Sequence, residues 1–280
     1  MILSLERNEF HIKIKNEDSA VAVLAAETGF SKQKIKQVMQ RGAVWLTDDR
    51  GTHRLRRHTK KLKSLNEIHL YFDPSVIDAK VDDAILIEDE MDFSLWYKPR
   101  GMLSQGSKWG DHLAINRWVE NNAVPERPAF IVHRLDRYAS GLILIAHKKK
   151  VAQSLSALFR NRNIDKRYLV MVHGKFPTDK IIYDKNVDNK SACSHTRFIR
   201  YDEENDKTLL EVDIKTGRKH QIRLHLSGAG FPVVGDRLYG QSEDNKDLQL
   251  TAYKLSFVSP IDKSLKEYVL PEKYWPKLEN

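Results

Sequence analysis

The chain carries a single cysteine, Cys193, among its 280 residues. One thiol cannot close a disulfide within the chain, and it cannot build a cysteine-based zinc site. Long apolar runs are missing too. The run LILIA (142–146) falls far short of the ~20 residues that a membrane helix needs. The first ten residues, MILSLERNEF, lack the apolar core of a signal peptide. The expected location is therefore the cytoplasm, with no membrane partner. There is no HExxH motif, no paired-carboxylate motif, no internal repeat and no low-complexity tract. A nuclease or glycosidase would need paired acids or metal ligands of that kind. His220 and His225 are five apart, and on a strand an odd spacing directs them to opposite faces. No metal and no cofactor is expected.

What the chain does have is an excess of bases. Lysine and arginine number 47 against 38 acids, a net charge of +9. With 41% hydrophobic and 30% charged residues it reads as a globular protein. The charge favours a polyanionic partner, nucleic acid ahead of an anionic membrane surface. Its location matters more than its sum. The stretch HRLRRHTKKLK (53–63) contains no acid. Alone, such a run reads as a solvated face. Here it follows SKQKIKQVMQRG (31–42), which has helical spacing, an N-cap at Ser31 and a stop at Gly42. Ile35, Val38 and Met39 form its inward stripe, leaving Lys32, Lys34, Lys36 and Arg41 outside. Two adjacent basic elements suit phosphate contacts. Arg54, Arg56 and Arg57 are the candidates from the run. Few aromatics lie between these bases, so recognition by backbone and shape is expected rather than base stacking.

The same region shows a strand at FHIKIK (10–15), a helix at SAVAVLAAETG (19–29) and short strands around the DDRG turn. On SKQKIKQVMQRGAVWL it resembles an S4 RNA-binding domain over roughly residues 15–72. It departs from that pattern at Leu65-Asn66, where Gly-Asp is common. DPSVIDAKVDDA (73–84) reads as connecting chain. The expected organisation is an S4-like module over 1–75, a linker over 76–84 and a larger domain over 85–280. In that domain ILIEDEMDFSLWYKPRGM reads as strand, turn and strand. DHLAINRWVENN and VAQSLSALFRNR have helical spacing. KRYLVMVHG, TLLEVDIKTG and LQLTAYKLSFVSP have strand character. The fold class expected is α+β: a central mixed, mostly antiparallel sheet, preceded by the small α+β module.

HRLDRYASGLILIA (133–146) sets one acid, Asp136, between Arg134 and Arg137 at the mouth of a buried strand. By itself this is a surface ion pair of little consequence. With KPRG upstream and TGRKHQIRLHLSGAGFPVVGDRLYG (216–240) downstream, however, residues 86–260 resemble the RluA family of pseudouridine synthases. The resemblance implies isomerisation of uridine to pseudouridine in RNA, without cofactor or metal. It implies Asp136 as the catalytic carboxylate, Arg223 as its partner and Tyr168 as the residue that stacks on the target base and joins in proton transfer at C5. Arg134 matches a residue that enters the RNA stack when the target flips out. Arg218, Lys219 and His220 are expected to line the groove. Gly235-Asp236 and Tyr239-Gly240 read as turn and packing residues, and Lys98-Pro99 with Gly101 as shaping a loop at the entrance. The chain has Arg-Tyr-Ala-Ser-Gly after Asp136, where many members have Lys-Asp-Thr-Ser-Gly. The chemistry is consistent with one acid. A carboxylate can attack the sugar or the base, or take a proton from C2′. Burial favours the neutral acid, whereas a close guanidinium favours the carboxylate. The expected substrate is structured RNA, ribosomal first and transfer second, acted on by a monomer. The competing function is a catalytically inactive S4-containing RNA-binding or ribosome-assembly factor.

Overall fold

The computed structural model describes residues 6–240 and 246–277. The chain folds as two compact units. The first runs to Lys80 and also takes Gln105–Trp118; the second holds Val81–Ser104 and the chain from Val119 onward.

In the first unit, four strands form one antiparallel sheet. They are β1 (Asn8–Lys13), β2 (Val44–Asp48), β3 (Gly51–Arg54) and β4 (Glu67–Phe72), in the order β1-β4-β2-β3. Two helices, α1 (Ala20–Thr28) and α2 (Lys32–Gln40), follow the first strand, and Asp18–Ser19 pairs with Lys61–Leu62 in a short antiparallel ladder. Both start where the sequence offers a serine. The Ser19 hydroxyl accepts from the Ala22 N–H and that of Ser31 from the Lys34 N–H, each at 3.2 Å. Gly29 closes α1 in the left-handed conformation that favours glycine, φ 71°. Ile35, Val38 and Met39 are fully buried with Leu24, Leu46 and Ile68 in one core.

Two boundaries differ from expectation. Residues 76–84 were expected to link the domains, yet Pro74–Ile77 forms a helical turn capped by Asp73, and Ile77 is fully buried in the first unit's core. Its apolar side chain outweighs the acids around it. Residues 105–118, expected in the larger domain, belong to the first unit. There the Asp111 N–H donates to Arg41 O at 3.0 Å, and Trp45 Nε1 donates to Lys108 O at 3.1 Å. The Leu65-Asn66 turn forms without a glycine: Leu65 takes φ 74° with its side chain in solvent.

The second unit is built on a ten-stranded sheet. Its strands are β5 (Ile85–Asp89), β6 (Phe93–Lys98), β7 (Phe130–Ile131), β8 (Ser140–Ala146), β9 (Asp165–His173), β10 (Ile181–Tyr183), β11 (Ser194–Asp202), β12 (Lys207–Ile214), β13 (Leu250–Val258) and β14 (Leu265–Val269). The order is β10-β11-β12-β9-β13-β8-β6-β5, with β7 on β8 and β14 on β13. Among the described residues only the β8–β13 pairing is parallel; the others are antiparallel, so the sheet is mixed. Every residue of β8 is buried, which explains its unbroken apolar sequence. Gly141 sits where β8 meets β13, at φ 112°, and a Cβ there would collide with the Ala252 backbone. Three helices matter here. α3 (Ile115–Asn122) carries the chain back into the second unit, α4 (Lys149–Arg160) packs on β8, and α5 (Gln221–Gly228) follows β12. Among the described residues no helix is long and apolar enough to cross a membrane.

Candidate active site

The segment Val132–Ala139 joins β7 to β8, and its backbone is held from several sides. Ser104 Oγ accepts from the Leu135 N–H at 2.9 Å and donates to Leu135 O at 2.8 Å. The Gly101 N–H donates to Arg137 O at 2.9 Å. Lys98, at the end of β6, is fully buried. Its ammonium nitrogen reaches the carbonyls of Pro99, Met102, Arg137 and Ala139 at 2.7–3.3 Å. Burial pushes the Lys98 amine down to about 7, against the pull of Asp136. His133 stacks on Phe159 with centroids 4.2 Å apart, and its Nε2 accepts from the Leu144 N–H at 3.0 Å. Burial, reinforced by the Lys166 charge, pushes this imidazole down to about 3, so it is neutral. A loop held this way presents the side chain of Asp136 in a defined position.

That side chain faces a cavity of about 800 Å³. Arg134, Asp136, Tyr168, Arg218, Lys219, His220 and Arg223 all line it. The fold thus gathers side chains from four stretches of sequence: the loop before β8, strand β9, the turn after β12 and helix α5. Arg223 Nη1 lies 3.7 Å from Asp136 Oδ2. Its other nitrogens are occupied, Nε donating to Asp236 Oδ2 at 2.7 Å and Nη2 to Asp236 Oδ1 at 2.5 Å. Asp236 is therefore more than the turn residue the sequence suggested. It is buried, accepts from the N–H groups of Leu238 and Tyr239, and clamps Arg223 through two parallel bonds. Burial disfavours both charges, but each partner outweighs it: the Arg223 pKa is raised and the Asp236 pKa lowered. Tyr168 is buried on β9. Burial, and after it the charge of Asp136, push its phenol up, so it remains protonated across the working pH range.

The segment HQIRLHL, in which a strand would direct His220 and His225 to opposite faces, is instead part of helix α5 from Gln221 onward. Alternation of Ile222, Leu224 and Leu226 imitates a strand, but the site is surrounded by protein and both sides of the helix are buried. Thr216 Oγ1 donates to Gln221 Oε1 at 2.6 Å, and Gln221 Nε2 donates to Cys193 O and Ser194 Oγ, both at 2.9 Å. His220 precedes the helix at φ 55°, its Nδ1 2.9 Å from the Tyr239 hydroxyl. Burial lowers its pKa, against Asp136. His225 is buried between Ser194 Oγ and Lys185 O. Sequence reasoning also missed Arg160, Arg162 and Lys166, which line the cavity. The basic ending of the helical pattern, FRNR, is the local signal for the two arginines, and Lys166 stands in KRY two residues before Tyr168.

In the first unit Lys32, Lys36 and Arg57 are exposed. Lys34 is half-buried, 3.6 Å from Asp78 and above the Phe72 ring, and Arg41 is half-buried too. Arg54 and Arg56, expected to face phosphate, instead pair with Asp111, Arg54 Nε at 3.3 Å. Half-buried cations need a carboxylate, and the run that contains them supplies none. His11, Glu67 and His69 of the same unit bring ligand-type atoms within 4.8 Å of one another. The two imidazoles meet directly, Nδ1 to Nδ1 at 2.8 Å, as hydrogen-bond partners.

The family model described as RNA pseudouridylate synthase matches residues 92–228, a span that includes Asp136, Tyr168 and Arg223. The chain is 30% identical to an uncharacterized RNA pseudouridine synthase of Mycoplasma pneumoniae, covering 70% of this chain and 69% of that one. It is 31% identical to ribosomal large subunit pseudouridine synthase C of Buchnera aphidicola, covering 67% and 64%. The solved structure of human RNA pseudouridylate synthase domain containing 1 overlays with a TM-score of 0.59 at 20% identity, covering 71% of this chain and 87% of that one, a likeness of fold. These matches show the family: the chain belongs to the RNA pseudouridine synthases, enzymes that isomerise uridine within RNA.

Proposed function

We propose that this enzyme converts uridine to pseudouridine in structured RNA with Asp136 as the catalytic carboxylate. The observation that carries the reading is the 3.7 Å approach of Arg223 to Asp136 in a cavity also lined by Tyr168. In the reaction the N1–C1′ bond breaks, the uracil turns, and C5 bonds to C1′. The proton lost from C5 is balanced by one gained at N1. Asp136 starts the cleavage as a nucleophile or as a base at C2′, and either route needs it ionised. Arg223 supplies the opposing charge, and Asp236 holds Arg223 so that only one edge of the guanidinium turns to the acid. Tyr168, whose phenol burial keeps neutral in the free protein, is the platform for the uracil ring and takes part in proton transfer at C5. Because stacked RNA shields the reacting atoms, the target is flipped into the cavity. Exposed Arg134 fills the gap it leaves, while Arg218 and Lys219 meet phosphate.

The first unit serves as an S4-type docking module through Lys32, Lys36 and Arg57. Ribosomal RNA is the first substrate class and transfer RNA the second. The Buchnera relative is named for the large ribosomal subunit, and a surface of bases without interleaved aromatics suits folded RNA. The test uses unmodified ribosomal and transfer RNA transcripts tritiated at uridine C5. Pseudouridine formation releases that tritium to water. Wild-type protein is expected to release it and Asp136→Asn is not, with RNA binding retained by both. Equal release by both proteins would remove Asp136 from its role. Release by neither, with binding intact, would remove the activity.

A further inference from the structure

Within the loop that carries the acid, two neighbouring residues are not part of the cavity lining. Asp136 and Ala139 line it; Arg137 and Tyr138 do not, and both are exposed. Isolated surface aromatics are common and need no explanation. Tyr138 differs from these in three ways. It stands two residues from the catalytic acid, on a backbone held by Lys98, Gly101 and Ser104. Its ring is half exposed, at 50%, and lies 5.3 Å from the guanidinium carbon of Arg137. Arg137 is itself held, since its Nε donates to Gly101 O at 3.3 Å. A rigid loop therefore displays an aromatic face with a cation fixed beside it. An aromatic ring at this point offers a stacking surface.

We infer that Tyr138 is a subsite for a nucleobase that neighbours the flipped uridine, with Arg137 holding the ring and facing the adjoining phosphate. The inference rests on the cavity being the uridine site. Extruding one nucleotide leaves its neighbours with an uncovered face, and an exposed aromatic ring two residues from the acid is available to cover one of them. Stacking of this kind accepts any base, because every base has a π-face. Tyr138 would therefore strengthen RNA binding without selecting the target by hydrogen bonds. Loss of such a ring weakens binding by about five- to 150-fold per base. Half exposure of Tyr138 in the free protein places the expectation near tenfold.

The test compares the wild type with Tyr138→Phe, Tyr138→Leu and Tyr138→Ala, using the tritiated transcripts above and filter binding of the same RNA across a salt series. Tyr138→Ala and Tyr138→Leu are expected to raise KM and Kd about tenfold with kcat within twofold of wild type. Tyr138→Phe is expected to match the wild type, because the ring and not the hydroxyl does the stacking. The slope of log Kd against log salt should stay constant, since no phosphate contact is lost. Unchanged Kd in Tyr138→Ala, or full retention by Tyr138→Leu, would overturn the subsite. So would a fall in kcat with KM unchanged, which would mean that the ring only shapes the loop. The binding arm separates this inference from the proposed function. If the wild type released no tritium yet Tyr138→Ala bound RNA tenfold more weakly, the reaction would be misassigned and Tyr138 would stand as an RNA-stacking residue without a flipped uridine beside it.

Discussion

Replacing Asp236 by asparagine tests the arrangement behind the catalytic acid. Arg223 and Asp236 are buried, with side chains only 6% and 1% exposed, and they meet through two hydrogen bonds of 2.7 and 2.5 Å. Asparagine keeps the shape, and its oxygen can still accept from the N–H groups of Leu238 and Tyr239. The charge is removed, and an NH2 group takes the place of the Oδ2 that accepts from the Arg223 Nε–H. Breaking one side of a buried ion pair costs about 3–5 kcal/mol, and the low end applies here because Arg223 keeps the more distant Asp136. For a chain of this size that lowers the melting temperature by roughly 10 °C. The functional consequence is separate. With Asp236 neutral, Asp136 is the carboxylate left beside the guanidinium, 3.7 Å from Nη1. The arginine then moves onto the catalytic acid and occupies it. Misplacement on the scale of 1 Å costs about 100-fold in rate, so kcat in the tritium-release assay should fall by about that factor with KM little changed. A double variant, Asp236→Asn with Arg223→Met, separates the two effects. Removing both charges should restore about 2 kcal/mol of the lost stability, measured by urea unfolding, while activity stays low. Strictly additive stability losses, or normal kcat in the single variant, would refute the clamp.

Two further perturbations follow from the same structure. His133 titrates at about 3 in the folded protein because it is buried and lies near Lys166, and near 6.5 when unfolded. Between those values the unfolded chain binds a proton that the folded one does not. Stability should therefore be unaffected by this group above pH 6.5 and fall by up to about 1.4 kcal/mol per pH unit below it. His133→Gln should remove about 2–3 kcal/mol of the difference in unfolding free energy between pH 7 and pH 4.5, and an undiminished difference would count against a neutral buried imidazole. At Leu65, glycine should stabilise the first unit. The residue sits at φ 74° with a side chain 97% exposed, so relieving the left-handed strain loses no packing. A gain of about 0.5 kcal/mol is expected after glycine's own entropy cost, and a lower urea midpoint for Leu65→Gly would contradict it.

Much of this molecule is written locally. Serines at 19 and 31 start α1 and α2, and glycines at 29 and 42 turn the chain after them, because a capping hydroxyl or a left-handed glycine acts within a few residues. The apolar run of β8 is legible as a buried strand for the same reason: one strand's exposure decides its own sequence. The motifs around Asp136, Tyr168 and Arg223 stand in order along the chain, and the fold brings all three to one cavity. What tertiary structure alone decided are the partners of charges and the context of ambiguous patterns. Arg223 finds Asp236 thirteen residues away, and Arg56 finds Asp111 across fifty-five. A buried charge takes the opposite charge nearest in space, and nearness in space is set by packing rather than by sequence. The ammonium of Lys98 reaches the carbonyls of Arg137 and Ala139 only because β6 pairs with β8. QIRLHL is a helix although its apolar residues alternate, because enclosure on both sides removes the polar face from which a helical period is read.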